Sequence, residues 1–422
     1  MISPSTHRVP PSRRRLVALA IGLAALGAQA ETSPWYVGGA LGLSHDSNIF
    51  RLADGVTAPG VSQRSDSITT ATLLGGLDQP IGRQRLHGSA SLRNNRYAHN
   101  SGLDNTGYGL RLGLDWSTIE RLSGTLNLQA NRELAFANPD NAVPTLAQRN
   151  IARTSQFDGA IRYGLIARWQ AEATFGHRTL GYSAAEYRSR EFNESWVSTG
   201  VRYRPSGALS LGLALRQNQG RYPGFRALAG GGFAADTFRR RDIDLTGDWI
   251  ASGASTVNLR LSGGHMSHSE ASQRDYSGLT GELRWVWKPT GKLSISTALA
   301  RETGQEFGVS SAFLVTGADL SRTVNALRSQ VAYELSSKIS LNAGASYSRR
   351  LLADTVTPVI GAPFVTDGAD HTTAITLGAR WTPTRSTQIS CDYSHERRGS
   401  DGHLSTPYGA NVFGCVGQLT LQ

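Results

Sequence analysis

The chain has 422 residues, of which 18% are charged and 47 are Gly, and no run beyond residue 30 is apolar enough to cross a bilayer as a helix, which takes about 20 such residues. A formal charge of +11 includes four arginines and no acid in residues 1–30, leaving +7 beyond them. No basic stripe interleaved with aromatics accompanies that modest excess, which argues against a nucleic-acid partner.

The N-terminus reads as a secretory signal peptide. Arg8, Arg13, Arg14 and Arg15 precede the apolar run Leu16–Leu26, and Ala28-Gln29-Ala30 offers a small-residue cleavage site. Residues 1–30 are therefore set apart, and residues 31–422 are expected to form one domain.

From Trp35 onward the chain alternates. Val37, Gly39, Leu41 and Leu43 share the apolar face of the first strand, followed by the polar segment Ser44–Ser67. Strand 2 covers about Ile68–Asp78. A turn at Gln79-Pro80-Ile81-Gly82 leads into strand 3, where Leu86, Gly88, Ala90 and Leu92 oppose Arg85, His87, Ser89, Ser91 and Arg93. Gly107–Asn131 carries the clearest pattern: Tyr108, Leu110, Leu112, Leu114 and Trp116 alternate with Gly109, Arg111, Gly113 and Asp115, and the second arm repeats the motif. A period of two over about ten residues is the signature of a strand with lipid on one face and a polar lumen on the other.

A long loop, Phe136–Arg153, precedes strands 6 and 7, with Phe157, Ile161 and Tyr163, then Trp169, Ala171, Ala173 and Phe175, on the apolar face. Strands 8 and 9 turn at Arg204-Pro205-Ser206-Gly207, and a Gly-rich loop, Tyr222–Asp236, separates them from strands 10 and 11. Later turns fall at 288–291, 335–338 and 382–385, and the last strand runs from about Asn411 to Leu421. The expectation is all-β: a single transmembrane antiparallel β-barrel of about 18 strands, with short periplasmic turns and long extracellular loops. Trp35, Trp116, Trp169, Trp249, Trp285, Trp287 and Trp381 fall beside short turns and read as a periplasmic girdle, with Trp196 near a long loop. A soluble β-sandwich would share the alternation, but its strands average five or six residues and it has no reason to keep tryptophan beside short turns.

Parity places Arg85, Arg93, Arg111, Arg162, Arg168, Arg202, Arg216, Arg260, Arg284, Arg328 and Arg380 inside, with Asp115, Asp158, Glu172, Asp242, Asp244, Asp248, Glu282, Glu334 and Asp392 also inward. Lys occurs only at Lys288, Lys292 and Lys338, so nearly all of the 43 basic residues are Arg. Two readings follow for this mildly positive interior. Either the arginines pair across neighbouring strands, or they lower the electrostatic barrier to carboxylates and make an anion-selective conduit. The apolar segments Phe307–Val315 and Val356–Val365 read either as a constriction folded into the lumen or as loops packed on each other. His265, Ser267, His268 and Glu270 cluster near one rim loop, and His395 and Glu396 near another. Their spacing matches no metal site, and no catalytic residue or cofactor is assigned.

Cys391 and Cys415 suit an oxidising compartment. If the last turn centres near residue 403 they lie opposite each other, with Tyr393 opposite Phe413, and either form a cross-strand bridge or pack as two reduced thiols.

The opening Trp35-Tyr36-Val37-Gly38-Gly39, followed by Ser44-His45-Asp46-Ser47-Asn48-Ile49-Phe50-Arg51-Leu52, resembles the start of the EpsL-type exopolysaccharide export proteins, a group of Gram-negative outer-membrane barrels. The resemblance implies passage of a secreted exopolysaccharide out of the cell; the arginine-lined interior points to an acidic one, and the absence of a nucleotide-binding motif to passive passage driven by periplasmic synthesis or export proteins as partners. Outer-membrane lipid and the barrel assembly machinery are the other expected partners. Phe413, Leu419 and Leu421 would serve the latter, since the chain closes on Gln422 rather than Phe. The alternatives are a general anion-preferring porin for small solutes and a closed structural or adhesive barrel.

Overall fold

The computed structural model describes residues 33–56, 60, 61, 63–135, 149–164, 168–228, 230–303, 321–356, 364–402 and 404–422. The proposed signal peptide, residues 136–148, the apolar segment 307–315 and most of 356–365 lie outside the described residues.

Eighteen strands follow in order: β1 (Trp35–Asp46), β2 (Asp66–Ile81), β3 (Gln84–Tyr97), β4 (Asn105–Ser117), β5 (Leu122–Leu134), β6 (Ile151–Gly164), β7 (Trp169–Tyr182), β8 (Phe192–Tyr203) and β9 (Leu209–Ala227), then β10 (Phe233–Ser252), β11 (Ser255–His268), β12 (Tyr276–Trp287), β13 (Leu293–Glu302), β14 (Ser321–Glu334), β15 (Ile339–Val356), β16 (Phe364–Trp381), β17 (Thr387–Asp401) and β18 (Tyr408–Leu421). Each strand pairs antiparallel with its sequence neighbours, and β1 pairs with both β2 and β18, which closes the sheet into a barrel with no free edge.

Closure turns the period of two into an inside and an outside. Leu41 and Leu43 are 69% and 67% exposed, and Leu73, Leu112, Leu213, Leu215, Leu283, Leu299 and Leu377 continue the same apolar belt around the barrel. A continuous exposed band of leucine far exceeds what a water-soluble surface carries. It belongs in hydrocarbon, where a closed barrel satisfies every backbone group internally. Tightness of the turns fixes which end is which. Gly82 and Arg83 alone join β2 to β3, with Gly82 at φ +61, and Lys288, Lys292 and Lys338 all sit in turns at this periplasmic end.

Several boundaries differ from the sequence reading. Gln79, Pro80 and Ile81 belong to β2, and Arg153 lies within β6. The largest difference concerns Tyr222–Asp236, read as a loop. β9 and β10 run to 19 and 20 residues, so that Tyr222 pairs with Asp236 and only residues 228–232 connect them. Beyond the belt the alternation changes phase. Tyr222, Phe238 and Met266 point inward and are buried, while Arg239 and Arg241 point outward and are exposed. A strand that leaves the membrane meets water on its outer face and folded loops on its inner one.

Candidate translocation path

The inner face of β6–β13 carries a lattice of ion pairs, most of which join different strands. Arg162 holds Glu172 at 2.7 Å, Arg202 joins Glu172 (3.6 Å) to Asp248 (2.8 Å), and Arg216 contacts both Asp242 (3.2 Å) and Asp244 (2.9 Å). Arg178 pairs with Glu194 at 3.1 Å, and Arg284 with Glu282 at 3.0 Å. Arg240 donates to Asp242 and, on its other nitrogens, to Thr280 and Thr303. Arg260 spans β12 to reach Glu302 on β13. That reach requires small neighbours, and Ala298, Ala300 and Ala326 supply them on β13 and β14. A recess of about 510 Å³ opens on this wall, lined by Glu172, Glu194, Trp196, Arg202, Arg216, Asp244, Arg260, Glu282, Arg284 and Glu302. Pairing of this density neutralises the wall, since burying both partners costs about what their attraction returns.

Other inner arginines stand differently. Arg93 lies between Thr72 and Gly107, Arg111 between Ser89 and Gln129, and Arg380 between Ser340 and Ser390. All three are exposed to the lumen, and none makes an ion pair among the described residues. Nearer the periplasm Arg85 is matched by Asp78 at 2.5 Å, and His87 lies 3.5 Å from Asp115.

Toward the extracellular mouth the inner face becomes aromatic. Phe192, Tyr222, Phe238 and His268 follow one another at centroid spacings of 5.6, 5.8 and 5.6 Å, with the Arg178 guanidinium 4.8 Å from the Phe192 ring and that of Arg274 5.9 Å from Tyr222. Arg274 ends a 3-10 turn, Ser272–Arg274, that leans from the β11–β12 connection toward β15. The mouth is thus narrowed by folded connections.

Buried carboxylates tie those connections down. Asp236 accepts from His268 Nδ1 (2.7 Å), Ser269 Oγ and the amides of Glu270 and Ala271. Asp66 accepts from the amides of His99 and Asn100, and Asp370 from Arg350 and from Ser405 Oγ at 2.7 Å. In the first loop Asp46 holds the Asn48 amide (2.8 Å) and Arg51 (2.8 Å), and Asn48 donates to the carbonyls of Leu52 and of Gly409 on β18. Burial works against the Arg51 charge, but the Asp46 carboxylate outweighs it and holds the guanidinium above its ordinary pKa. In the β3–β4 connection the Tyr97 amide and the Arg96 guanidinium hold the Asp104 carboxyl below the usual range.

The structure places Arg85, Arg93, Arg111, Arg162, Arg202, Arg216, Arg260, Arg284, Arg328 and Arg380 on inner-face positions, and Arg168 in the turn before β7. Sequence reasoning missed Arg178, Arg240, Arg350 and Arg398, and also Asp46, Asp66, Asp78, Glu194, Asp236, Glu302, Asp370 and Glu396, because most sit in stretches taken for loops or at strand ends. Trp35, Trp169, Trp249, Trp285, Trp287 and Trp381 are exposed at the turn end, and Trp116 packs there over Gly124. Trp196 is instead a lumen residue whose ring lies over Gly176, where a Cβ would meet it at 2.1 Å.

Cys391 and Cys415 are bridged, directly opposite in the β17–β18 register, with Tyr393 opposite Phe413. The rim histidines do not converge. His265 and Ser267 point outward, His268 is spent on Asp236, and Glu270 pairs with Arg226. His395 contacts Asn411 on the outer face, whereas Glu396 accepts from Tyr408 on the inner one. Among the described residues no group of His, Cys, Asp and Glu could hold a metal.

The class is therefore defined by the molecule itself: a closed antiparallel barrel with an apolar outer belt and a polar, charge-lined interior is an outer-membrane protein of a Gram-negative bacterium. No known family profile matches the chain, and no curated protein sequence does. Among solved structures it is similar to OccK3 (OpdO) of Pseudomonas aeruginosa, at 12% identity over 92% of this chain and 96% of that one, with a TM-score of 0.47. It is also similar to the outer membrane protein opdK of Pseudomonas aeruginosa (13% identity, 92% and 99% covered, TM-score 0.45) and to the siderophore receptor PirA of Acinetobacter baumannii (7% identity, 93% and 81% covered, TM-score 0.42).

Proposed function

We propose that the protein is a passive outer-membrane pore for small polar solutes that prefers anions. One observation carries this reading: Arg93, Arg111 and Arg380 face the lumen exposed, make no ion pair among the described residues and lie directly opposite uncharged residues on both neighbouring strands, while the arginines of the opposite wall are neutralised in place. A fixed guanidinium beside water attracts a passing carboxylate without trapping it, provided nothing else competes for its donors. An 18-stranded barrel is wide enough to leave an aqueous channel, and the recess on the β7–β13 wall adds local room. Export of exopolysaccharide, implied by the resemblance of the first strand and loop, has no support in the comparisons. Asp46, Asn48 and Arg51, which carry that resemblance, are engaged in holding the loop to β18.

The test is single-channel recording in a planar bilayer under a KCl gradient. The reading expects an ohmic pore whose reversal potential shows chloride preferred over potassium, and R93Q/R111Q moves that potential toward cation preference. A pore that is cation-selective from the start, or no conductance at all, would overturn it. Block by a purified acidic polysaccharide, without passage of smaller anions, would return attention to export.

A further inference from the structure

We infer that the extracellular half of the barrel's outer face is a binding band for the phosphate groups of outer-leaflet glycolipid. The band consists of Arg153, Arg221, Arg239, Arg241, Arg349 and Arg397, all outward and exposed. None of the six makes an ion pair among the described residues, and the register gives none a carboxylate as its opposite neighbour. Arg153 faces Arg132 and Gly181, Arg221 faces Asn193 and Thr237, and Arg239 faces Gln219 and Ser267. Arg241 lies between Gln217 and His265, Arg349 between Asn325 and His371, and Arg397 between Thr373 and Gly409.

Height and distribution identify the occupant. Arg241 stands one outward position above Ile243, 57% exposed in the apolar belt, and Arg349 one above Tyr347, 43% exposed. One such step is about 6.7 Å of strand, which sets these two guanidiniums at the level where acyl chains give way to headgroups, with Arg153, Arg239 and Arg397 one outward position higher on their strands and Arg221 two. The six sit on β6, β9, β10, β15 and β17, spread around the circumference. A protein partner would touch one side; a lipid leaflet touches every side. The band occurs at the loop end, and at the turn end the outer face presents tryptophan instead. Uncompensated arginine beside a membrane matches a phosphorylated headgroup, which its planar donor fork takes bidentately.

The experiment measures binding of diphosphoryl lipid A to the detergent-purified protein in neutral mixed micelles, against the same lipid stripped of both phosphates. The expected result is preference for the phosphorylated form, lost on raising NaCl from 0.1 to 1 M. R239Q/R241Q/R349Q/R397Q, with heat-modifiable gel mobility as the check on folding, is expected to weaken binding about fivefold for each arginine removed. The matching Arg→Lys variant keeps the charge and most of the binding. Equal binding of the two lipid forms, or salt-independent binding, overturns the inference even if the glutamine variant does not fold. Unchanged affinity in a folded glutamine variant overturns it as well.

Discussion

Replacing Asp370 with Asn removes one charge from a site that structure has closed to water. Asp370 is 1% exposed, and its two oxygens receive Arg350 Nε at 3.0 Å and Nη2 at 2.5 Å, Ser405 Oγ at 2.7 Å, and the Arg398 guanidinium at 3.9 Å. The variant keeps the shape and takes the Asp370 charge away from two guanidiniums whose side chains are 7% and 11% exposed. Breaking a buried ion pair from one side costs on the order of 3–5 kcal/mol, most of it the penalty of the charge left behind. Loss of the Ser405 contact also frees the β17–β18 connection at the mouth. Urea unfolding in detergent, followed by tryptophan fluorescence, reports the stability, and limited proteolysis near residue 402 reports the loop. D370N is expected to unfold at markedly lower urea and to be cut faster. R350M in the D370N background is expected to recover part of the loss, since it removes one of the two positive charges that Asp370 balanced. A D370N midpoint within about 0.5 kcal/mol of wild type, the usual range for a surface change, would refute the claim that this carboxylate clamps the loop by charge.

Unreduced protein is expected to show no titratable thiol, because Cys391 and Cys415 are bridged; two reactive groups under denaturing conditions would contradict the bridge. C391S/C415S is expected to cost at most about 3.5 kcal/mol, the chain-entropy value for a loop of this length, and less in practice because the β17–β18 ladder already closes the same loop. Asp104 supplies a pH dependence. Its folded-state pKa is depressed by the Tyr97 amide and Arg96, so its contribution is complete above the unfolded carboxylate value of about 3.9 and disappears as pH falls through the lower folded one. The protection of the Tyr97 amide, its exchange rate relative to the intrinsic rate at each pH, is expected to fall over that acid range in wild type and to be insensitive to it in D104N.

The sequence by itself determined the alternation, the even number of strands, and the polarity of the barrel. These depend on residues two apart, on tight turns such as Gly82-Arg83 and on tryptophans beside those turns, all local features. It also placed Cys391 opposite Cys415, since a symmetric hairpin fixes its own register. Where the chain leaves the membrane the same rule misleads. Above the belt Tyr222 and Phe238 turn inward and Arg239 and Arg241 outward, so the hydrophobic phase reverses and two long strands read as a loop. Only the tertiary structure decided which arginines are spent. Arg202 meets Asp248 across 46 residues of sequence, Arg260 meets Glu302 across 42 and Arg240 meets Thr303 across 63. Each contact requires a side chain to lie along the curved wall over small neighbours. Arg93, Arg111 and Arg380 make no ion pair among the described residues, and the residues directly opposite them on both neighbouring strands are uncharged.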